Sequence, residues 1–444
     1  MELPKEFCHA MEALLGEEAE AFFESYKDPY RRGLRRNPLK CEEEDLKKSL
    51  PFPLTPTPFS PLSFYFQEGE EKVGRLPAHH GGLFYVQEPS ACSAVTVLDP
   101  QPGEKVLDLC AAPGGKSTQI GGQLMGQGLL WSNEIVKNRA QILLSNVERL
   151  GVRNAVVSSC HPQRLCQGLQ GFFDRVLVDA PCSGEGMFRR DPEGISQWSP
   201  EGVVACAQRQ RAILDSAALA VREGGILVYS TCTFSMEENE RTVEAFLKAH
   251  PEFELVPIQV SFGRPGIGGL PVRRIFPMDG GEGHFVAKFR RKGENPNRGG
   301  NFTQFLPRRE EDEVRNLYEE LFTDPWPGRA ARFGERYYLL PAELPDLSGL
   351  GVLRAGVEFA QRKGKRLEPS HGVFQSRRKE ECRETLDLPW DSPVLAAFLR
   401  GEEIDCSGKG YTALCGGGIP MGFGKASGGR LKNRYPKGLR NLGT

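Results

Sequence analysis

A doubly wound α/β sheet, preceded by an N-terminal α/β extension and followed by a small β-rich unit, is the architecture that the 444-residue sequence predicts. Three observations carry it. From about residue 84 to 290, apolar runs of strand length alternate with segments of helical period. One of these runs, in KVLDLCAAPGGKS (Lys105 to Ser117), passes straight into a glycine-bearing loop and then a helix, the unit that opens nucleotide-binding sheets. The chain is also too long for one ordinary core, which predicts two to four domains.

In chain order, residues 1 to about 50 read as amphipathic helices, with Phe7, Met11, Leu14 and Leu15 at helical spacing, then Phe22 and Phe23. Within them Lys27, Arg31, Arg32, Arg35, Arg36 and Lys40 stand against a single acid, Asp28, so a phosphate-facing surface is expected. Pro51, Pro53, Pro56, Pro58 and Pro61 then forbid helix and predict a boundary or an extended strap. A first unit is therefore placed at 1–83.

The sheet follows at 84–290, with strands at Val106 to Leu109, Gly128 to Asn133, Ala155 to Ser158, Phe173 to Val178 and Gly225 to Tyr229. Helices are expected at Lys137 to Leu150 and Gln208 to Val221, Ser117 is expected to cap the helix after the glycine loop, and His284 to Phe289 reads as an edge hairpin. RRKGENPNRGGN, Arg290 to Asn301, opens a linker and small α/β unit at 291–370. The closing unit, 371–444, carries seven Lys or Arg and no acid from Lys409 onward, with Tyr411, Phe423 and Tyr435 interleaved. Its glycines and apolar residues between Gly416 and Phe423 predict a small β-domain that meets phosphate.

Composition excludes several classes. Apolar residues make up 39%, no run reaches membrane length, and Met1 to Leu15 lacks the pattern of a secretory signal, so a cytoplasmic protein is expected. The 12 cysteines never form C-x-x-C and the seven histidines are scattered, which predicts neither metal nor disulfide framework. Reduced thiols are left for chemistry.

Gly114 and Gly115 permit close backbone approach, yet neither the dinucleotide G-x-G-x-x-G nor the phosphate-loop motif is present. An adenosyl cofactor without phosphates, S-adenosylmethionine, fits best, with Glu134 at the end of the next strand placed to meet ribose hydroxyls. The fourth strand delivers Asp179 and Cys182 together, and the fifth delivers Cys232, after which Ser235 and Glu238 read as a capping box. Nearby helix starts would help a thiolate form. Carbon 5 of cytosine accepts a methyl group only after a thiolate adds at carbon 6, and an acid such as Asp179, held protonated or hydrogen-bonded, must relieve charge at ring nitrogen 3. Chemistry alone leaves open which cysteine attacks.

CAAPGGK (Cys110 to Lys116), DAPCSGEG (Asp179 to Gly186) and STCTF with ENE (Ser230 to Phe234, Glu238 to Glu240) resemble the signature motifs of the Nol/Nop/Sun family of RNA cytosine-C5 methyltransferases. That resemblance implies a Rossmann-like core in which Cys232 is the nucleophile, Cys182 aids release and Asp179 is the acid. For S-adenosylmethionine it implies Cys110, Ala111, Ala112, Pro113, Gly114, Gly115 and Lys116, with Glu134, Arg139 and Asp179. The loop SSCHP, Ser158 to Pro162, departs from the family by lacking an acidic residue, and leaves the adenine contact unassigned.

HHGGLFYVQEPSA (His79 to Ala91), GMFRRDP (Gly186 to Pro192), LEPSHG (Leu367 to Gly372) and LKNRYPKGLR (Leu431 to Arg440) further resemble the bacterial RsmF, or YebU-like, subgroup. It implies a PUA-like RNA-binding module at the C-terminus, and 16S ribosomal RNA or the small ribosomal subunit as partner, modified in the decoding region. A monomer is expected. Transfer RNA as substrate, and a catalytically idle assembly factor, are the alternatives; intact Asp179, Cys182 and Cys232 speak against the second.

Overall fold

The computed structural model describes residues 3–67, 72–294 and 300–441. Apolar, β-branched runs form the centre of its largest sheet, as expected of parallel strands covered on both faces. Numbered from the start of this core, the strands are β1 (Lys105–Asp108), β2 (Leu129–Asn133), β3 (Ala155–Ser158), β4 (Phe173–Asp179), β5 (Val221–Thr231) and β6 (His284–Arg291). Neighbours pair in parallel from β3 through β2, β1 and β4 to β5, and β6 lies antiparallel against β5. The connecting helices are α1 (Gly115–Gln123), α2 (Lys137–Arg149), α3 (Pro162–Gly168), α4 (Pro200–Ala220) and α5 (Glu240–Ala249).

Successive strand residues serve opposite layers. Leu107, Trp131, Val156, Val176 and Leu227 join the core beneath α4. Their neighbours Val106, Leu130, Val157, Leu177 and Val228 join a second core with Ile120 and Leu143. Strand order reverses between β1 and β4, so their carboxyl ends part and leave the crevice where open α/β sheets bind ligands.

Two expectations about this sheet need correction. β6 is an interior strand, because Phe253–Leu255 pairs along its outer side and Arg273–Ile275 also pairs with it. The opposite edge is closed from far down the chain: Val352–Ala355 runs antiparallel to β3. The linker expected at 290–301 lies partly outside the described residues, and β6 itself continues to Arg291.

The N-terminal segment mixes helices Lys5–Leu15, Ala19–Glu24 and Glu43–Lys48 with a four-stranded sheet. Its strands lie in the order Thr55–Pro56, Ser63–Tyr65, Gly33–Arg36, Phe84–Val86. The proline-rich stretch thus supplies an edge strand, and the basic stretch a central one. This overturns part of the expected phosphate surface. Arg35 is buried and donates to Gln87, to Gly115 O at 2.5 Å and to Thr118 Oγ1 at 2.7 Å, bracing the start of α1. Arg36 donates to Cys41 O at 2.6 Å, and Lys40 to Gln375 O. Once desolvated, each cation is held by protein acceptors.

Beyond the core, helix Arg308–Leu321 packs with a four-stranded sheet ending in Arg366–Pro369, and helix His371–Gln375 leads into the last unit. There the basic tail is folded as a five-stranded sheet containing Gly410–Gly416 and Ile419–Ser427. Leu414, Met421 and Leu431 fill its core. It is tied to the N-terminal segment by His80 Nδ1 and Tyr435 OH at 2.9 Å, and by Asn441 Nδ2 donating to Arg75 O at 3.0 Å.

Candidate active site

β1 ends in the loop Leu109–Gly114, where Gly114 has φ 114° and a side chain would meet Leu143 Cδ1 at 3.2 Å. Ala111 N donates to Asn133 O at 2.8 Å, and Asn146 Nδ2 donates to Pro113 O at 2.9 Å, so the loop is held from β2 and α2. Arg139 donates to Ala112 O at 3.2 Å and stands 3.4 Å from Glu134, which is 4% exposed just past β2. Cys110 lines the loop with its thiol pushed well up by burial and then by Asp108, Asp179 and Glu134. Ser117 does not cap α1, which begins at Gly115; its hydroxyl donates to Asp108 Oδ2 at 2.6 Å.

Two cysteine loops meet across the crevice. Cys182, just past β4, and Cys232, just past β5, bring their sulfurs to 3.0 Å, and Cys232 N points at Cys182 Sγ at 3.4 Å. Both thiols are free. Each loop is braced by a glutamate from the other. Glu185 accepts from Thr233 Oγ1 at 2.7 Å, Phe234 N at 2.8 Å and Ser235 N at 3.0 Å. Glu238 accepts from Ser183 N at 3.0 Å, from Ser183 Oγ and from Gln210 Nε2 at 2.7 Å. Burial pushes both carboxyls up, and the hydrogen bonds they accept oppose it. Gly186 completes the contact: it donates to Cys232 O at 2.9 Å, and a side chain there would meet Gly283 O and Cys232 O at 2.9 and 3.0 Å.

The expected capping box is therefore absent. α5 begins only at Glu240, and Glu238 turns back to the Cys182 loop. The expected lowering of a thiol pKa by helix starts also fails for Cys182. Its hydrogen bond with Cys232 and its burial push it well above the usual thiol range.

Asp179, at the end of β4, accepts from Lys116 Nζ at 2.7 Å and from Ser230 Oγ at 2.8 Å. Burial pushes its carboxyl up, but Lys116, His284 and the hydrogen bonds outweigh that, and the net shift is downward. Of the two states expected for Asp179, protonated or hydrogen-bonded, the geometry gives the second, an ionised carboxylate held by Lys116 and Ser230.

Two groups, Asp108 and His284, escaped sequence reasoning. Lys116 was expected at the cofactor, and its amine faces Asp179. Asp108 is fully buried, raised to about 7 by desolvation, with Oδ1 unpartnered. His284, at the start of β6, is 3% exposed, has Nε2 without a hydrogen-bond partner 3.9 Å from Asp179, and is kept neutral by burial, which pulls it down to about 3. A carboxylate at the end of the first strand was the one visible signal, for Asp108; nothing local announces His284.

Comparison with known proteins places this geometry. Residues 95–290 match the family described as 16S rRNA methyltransferase RsmB/F. Residues 3–89, 317–373 and 385–441 match the RsmF N-terminal, first C-terminal and PUA domains. The Ribosomal RNA small subunit methyltransferase F of Serratia proteamaculans is 30% identical, with 98% of this chain and 96% of that protein covered. The chain belongs to the RsmF family of 16S rRNA methyltransferases. The enzyme of the same description from Escherichia coli O157:H7 is 31% identical over 94% of this chain and 92% of its own. Among solved structures, a methyltransferase homolog from Pyrococcus horikoshii shares 31% identity at a TM-score of 0.57, covering 65% of this chain and 95% of its own. NSun6 from Pyrococcus horikoshii, solved with SFG, shares 25% at 0.59, covering 66% and 99%. RsmF membership makes the chain an S-adenosylmethionine-dependent RNA methyltransferase, and a Rossmann-like core with a C-terminal PUA domain is its fold.

Proposed function

We propose that this RsmF-family chain methylates carbon 5 of a cytosine in the decoding region of 16S ribosomal RNA, through a covalent adduct between Cys232 and carbon 6. The observation that carries the reading is the pair of thiols 3.0 Å apart beside Asp179 in the crevice of the sheet.

The residues of the crevice suit S-adenosylmethionine. Carboxylates of Glu134 and Asp179 surround the Gly114 loop, matching a cationic sulfonium, an ammonium and ribose hydroxyls rather than phosphates. Cys110 to Lys116, Glu134 and Arg139 would hold it, and when bound it supplies an electrophilic methyl group. The chain's own residues do the rest. Cys232 gives up its proton to solvent and adds through sulfur to carbon 6 of a base turned out of its stack, with Cys182 Sγ 3.0 Å from the attacking sulfur. Asp179 is ionised at rest, and Lys116 Nζ holds the proton beside it. Desolvation by the incoming base raises the proton affinity of Asp179, so the carboxyl relays that proton to nitrogen 3 as charge builds there.

Once the Cys232 sulfur is bonded to carbon, the first cause that raises Cys182 is gone. Cys182 then gives up its proton to solvent and takes the proton of carbon 5, the electrons of that bond restore the ring double bond as the carbon–sulfur bond to Cys232 breaks, and nitrogen 3 returns its proton through Asp179 to Lys116.

The test is a denaturing gel of each variant with labelled 16S RNA, transfer RNA and S-adenosylmethionine. Cys182→Ala is expected to accumulate a denaturant-stable RNA adduct and Cys232→Ala to form none, with bisulfite sequencing locating the modified cytosine. An adduct with Cys232→Ala alone reverses the two roles, and modification of transfer RNA alone overturns the substrate.

A further inference from the structure

The two thiols that serve the reaction are also placed to react with each other. Of the 12 cysteines, seven are buried and five half-buried, and two of those five, Cys182 and Cys232, bring their sulfurs to 3.0 Å. A disulfide holds its sulfurs about 2 Å apart, so closing the bond asks for roughly 1 Å of movement.

The fold keeps the pair together. Cys182 lies three residues past the end of β4 and Cys232 one past the end of β5, strands that run in parallel register to Asp179 and Ser230. Gly186 N donates to Cys232 O at 2.9 Å, and Glu185 and Glu238 each brace the opposite loop. Thiols held in this way meet at an effective concentration that no free thiol reaches. Cys232 N–H, 3.4 Å from Cys182 Sγ, also eases negative charge on that sulfur. A cysteine oxidised alone passes from sulfenic to sulfinic acid, which thiol reductants do not reverse, whereas one with a second thiol at hand stops at a disulfide, which they do.

We infer that Cys182 and Cys232 join in a reversible disulfide when hydrogen peroxide or a related hydroperoxide enters the crevice, which switches methylation off and spares both sulfurs from irreversible oxidation. One thiol gives its proton to solvent and its sulfur takes an oxygen from the peroxide; the oxygen–oxygen bond breaks and the hydroxide that leaves becomes water with that proton. The second sulfur then bonds to the sulfenic sulfur, the sulfur–oxygen bond breaks, and the departing hydroxide takes the proton of the second thiol and leaves as water. The two sulfurs lose two electrons and one peroxide gains them. That the bond silences the enzyme rests on the reading of Cys232 as nucleophile and Cys182 as the releasing thiol; formation of the bond does not.

The experiment treats the full chain with hydrogen peroxide, quenches with catalase and alkylates the thiols that remain free. Tandem mass spectrometry of wild type should find Cys182 linked to Cys232 and the other cysteines alkylated, and tritium transfer to 16S RNA should be lost and then restored by dithiothreitol. Cys182→Ala and Cys232→Ala each remove the partner, so at the same dose the thiol left behind should carry sulfinic acid that dithiothreitol does not clear. A bond from either cysteine to the half-buried Cys206 overturns the inference. So does sulfinic acid accumulating at Cys232 as fast in wild type as in Cys182→Ala, or a linked enzyme that still methylates. Failure of the reduced wild type to methylate 16S RNA would instead remove the substrate reading, and the mapped linkage would still decide the bond.

Discussion

At the residue scale the site turns on a few groups whose surroundings oppose one another. Burial works to protonate Asp179 and Lys116 works to ionise it, and Lys116 wins. Asp179 therefore contributes stability that is present above its unfolded pKa and lost as pH falls through its lowered folded value. Lys116→Met removes the largest cause that opposes burial, so the acid limb of the methylation pH profile should move to higher pH. A limb that stays in place would mean that another group titrates there. Gly114 offers a second test. Its φ of 114° and the nearby Leu143 disfavour any side chain, so Gly114→Val should displace the loop and cost about 1–3 kcal/mol. Calorimetric titration with S-adenosylmethionine should then detect little or no binding. Unaltered affinity would show that the loop is not the cradle.

At the scale of elements, the cysteine loops are held by an exchange of glutamates. Glu185→Gln keeps the shape but gives up the charge that accepts four donors, three from the Cys232 loop and Trp198 Nε1, and urea unfolding should lose about 1–3 kcal/mol. The covalent adduct should also form more slowly; a variant equal to wild type in both measurements would mean that the loops need no such brace. This is also where the limits of sequence reasoning are plainest. Strands β1 to β5 were legible because period-2 burial against two helical layers leaves continuous apolar runs, and Asp179, Cys182 and Cys232 because each follows such a run. Glu238 was read locally, as a cap, because its true partner Ser183 is distant in sequence and only the β4–β5 pairing brings it near. Arg35 was read as surface for the same reason: its acceptors Gly115 and Thr118 belong to another unit. Local pattern reveals elements, and pairing between elements decides what a polar side chain does.

At the scale of the whole molecule, the N-terminal basic stretch gives up Arg35, Arg36 and Lys40 to internal bonds, whereas Lys409, Lys425, Lys432 and Lys437 of the last unit are exposed. Removing residues 409–444 is a poor probe, since Leu414 and Leu431 belong to the core of that sheet. Lys432→Glu with Lys437→Glu should instead weaken 16S RNA binding and flatten its logarithmic salt dependence by about 2, one for each phosphate contact. An unchanged slope would mark these lysines as mere solvated surface. The closure of the large sheet by Val352–Ala355 has a consequence in time. During synthesis β3 emerges long before the strand that covers it, and at ordinary rates of elongation its edge waits roughly 10 to 40 s, a bare template for wrong pairing. The nascent chain is thus prone to aggregate after its catalytic sheet has been made and before Val352–Ala355 has emerged.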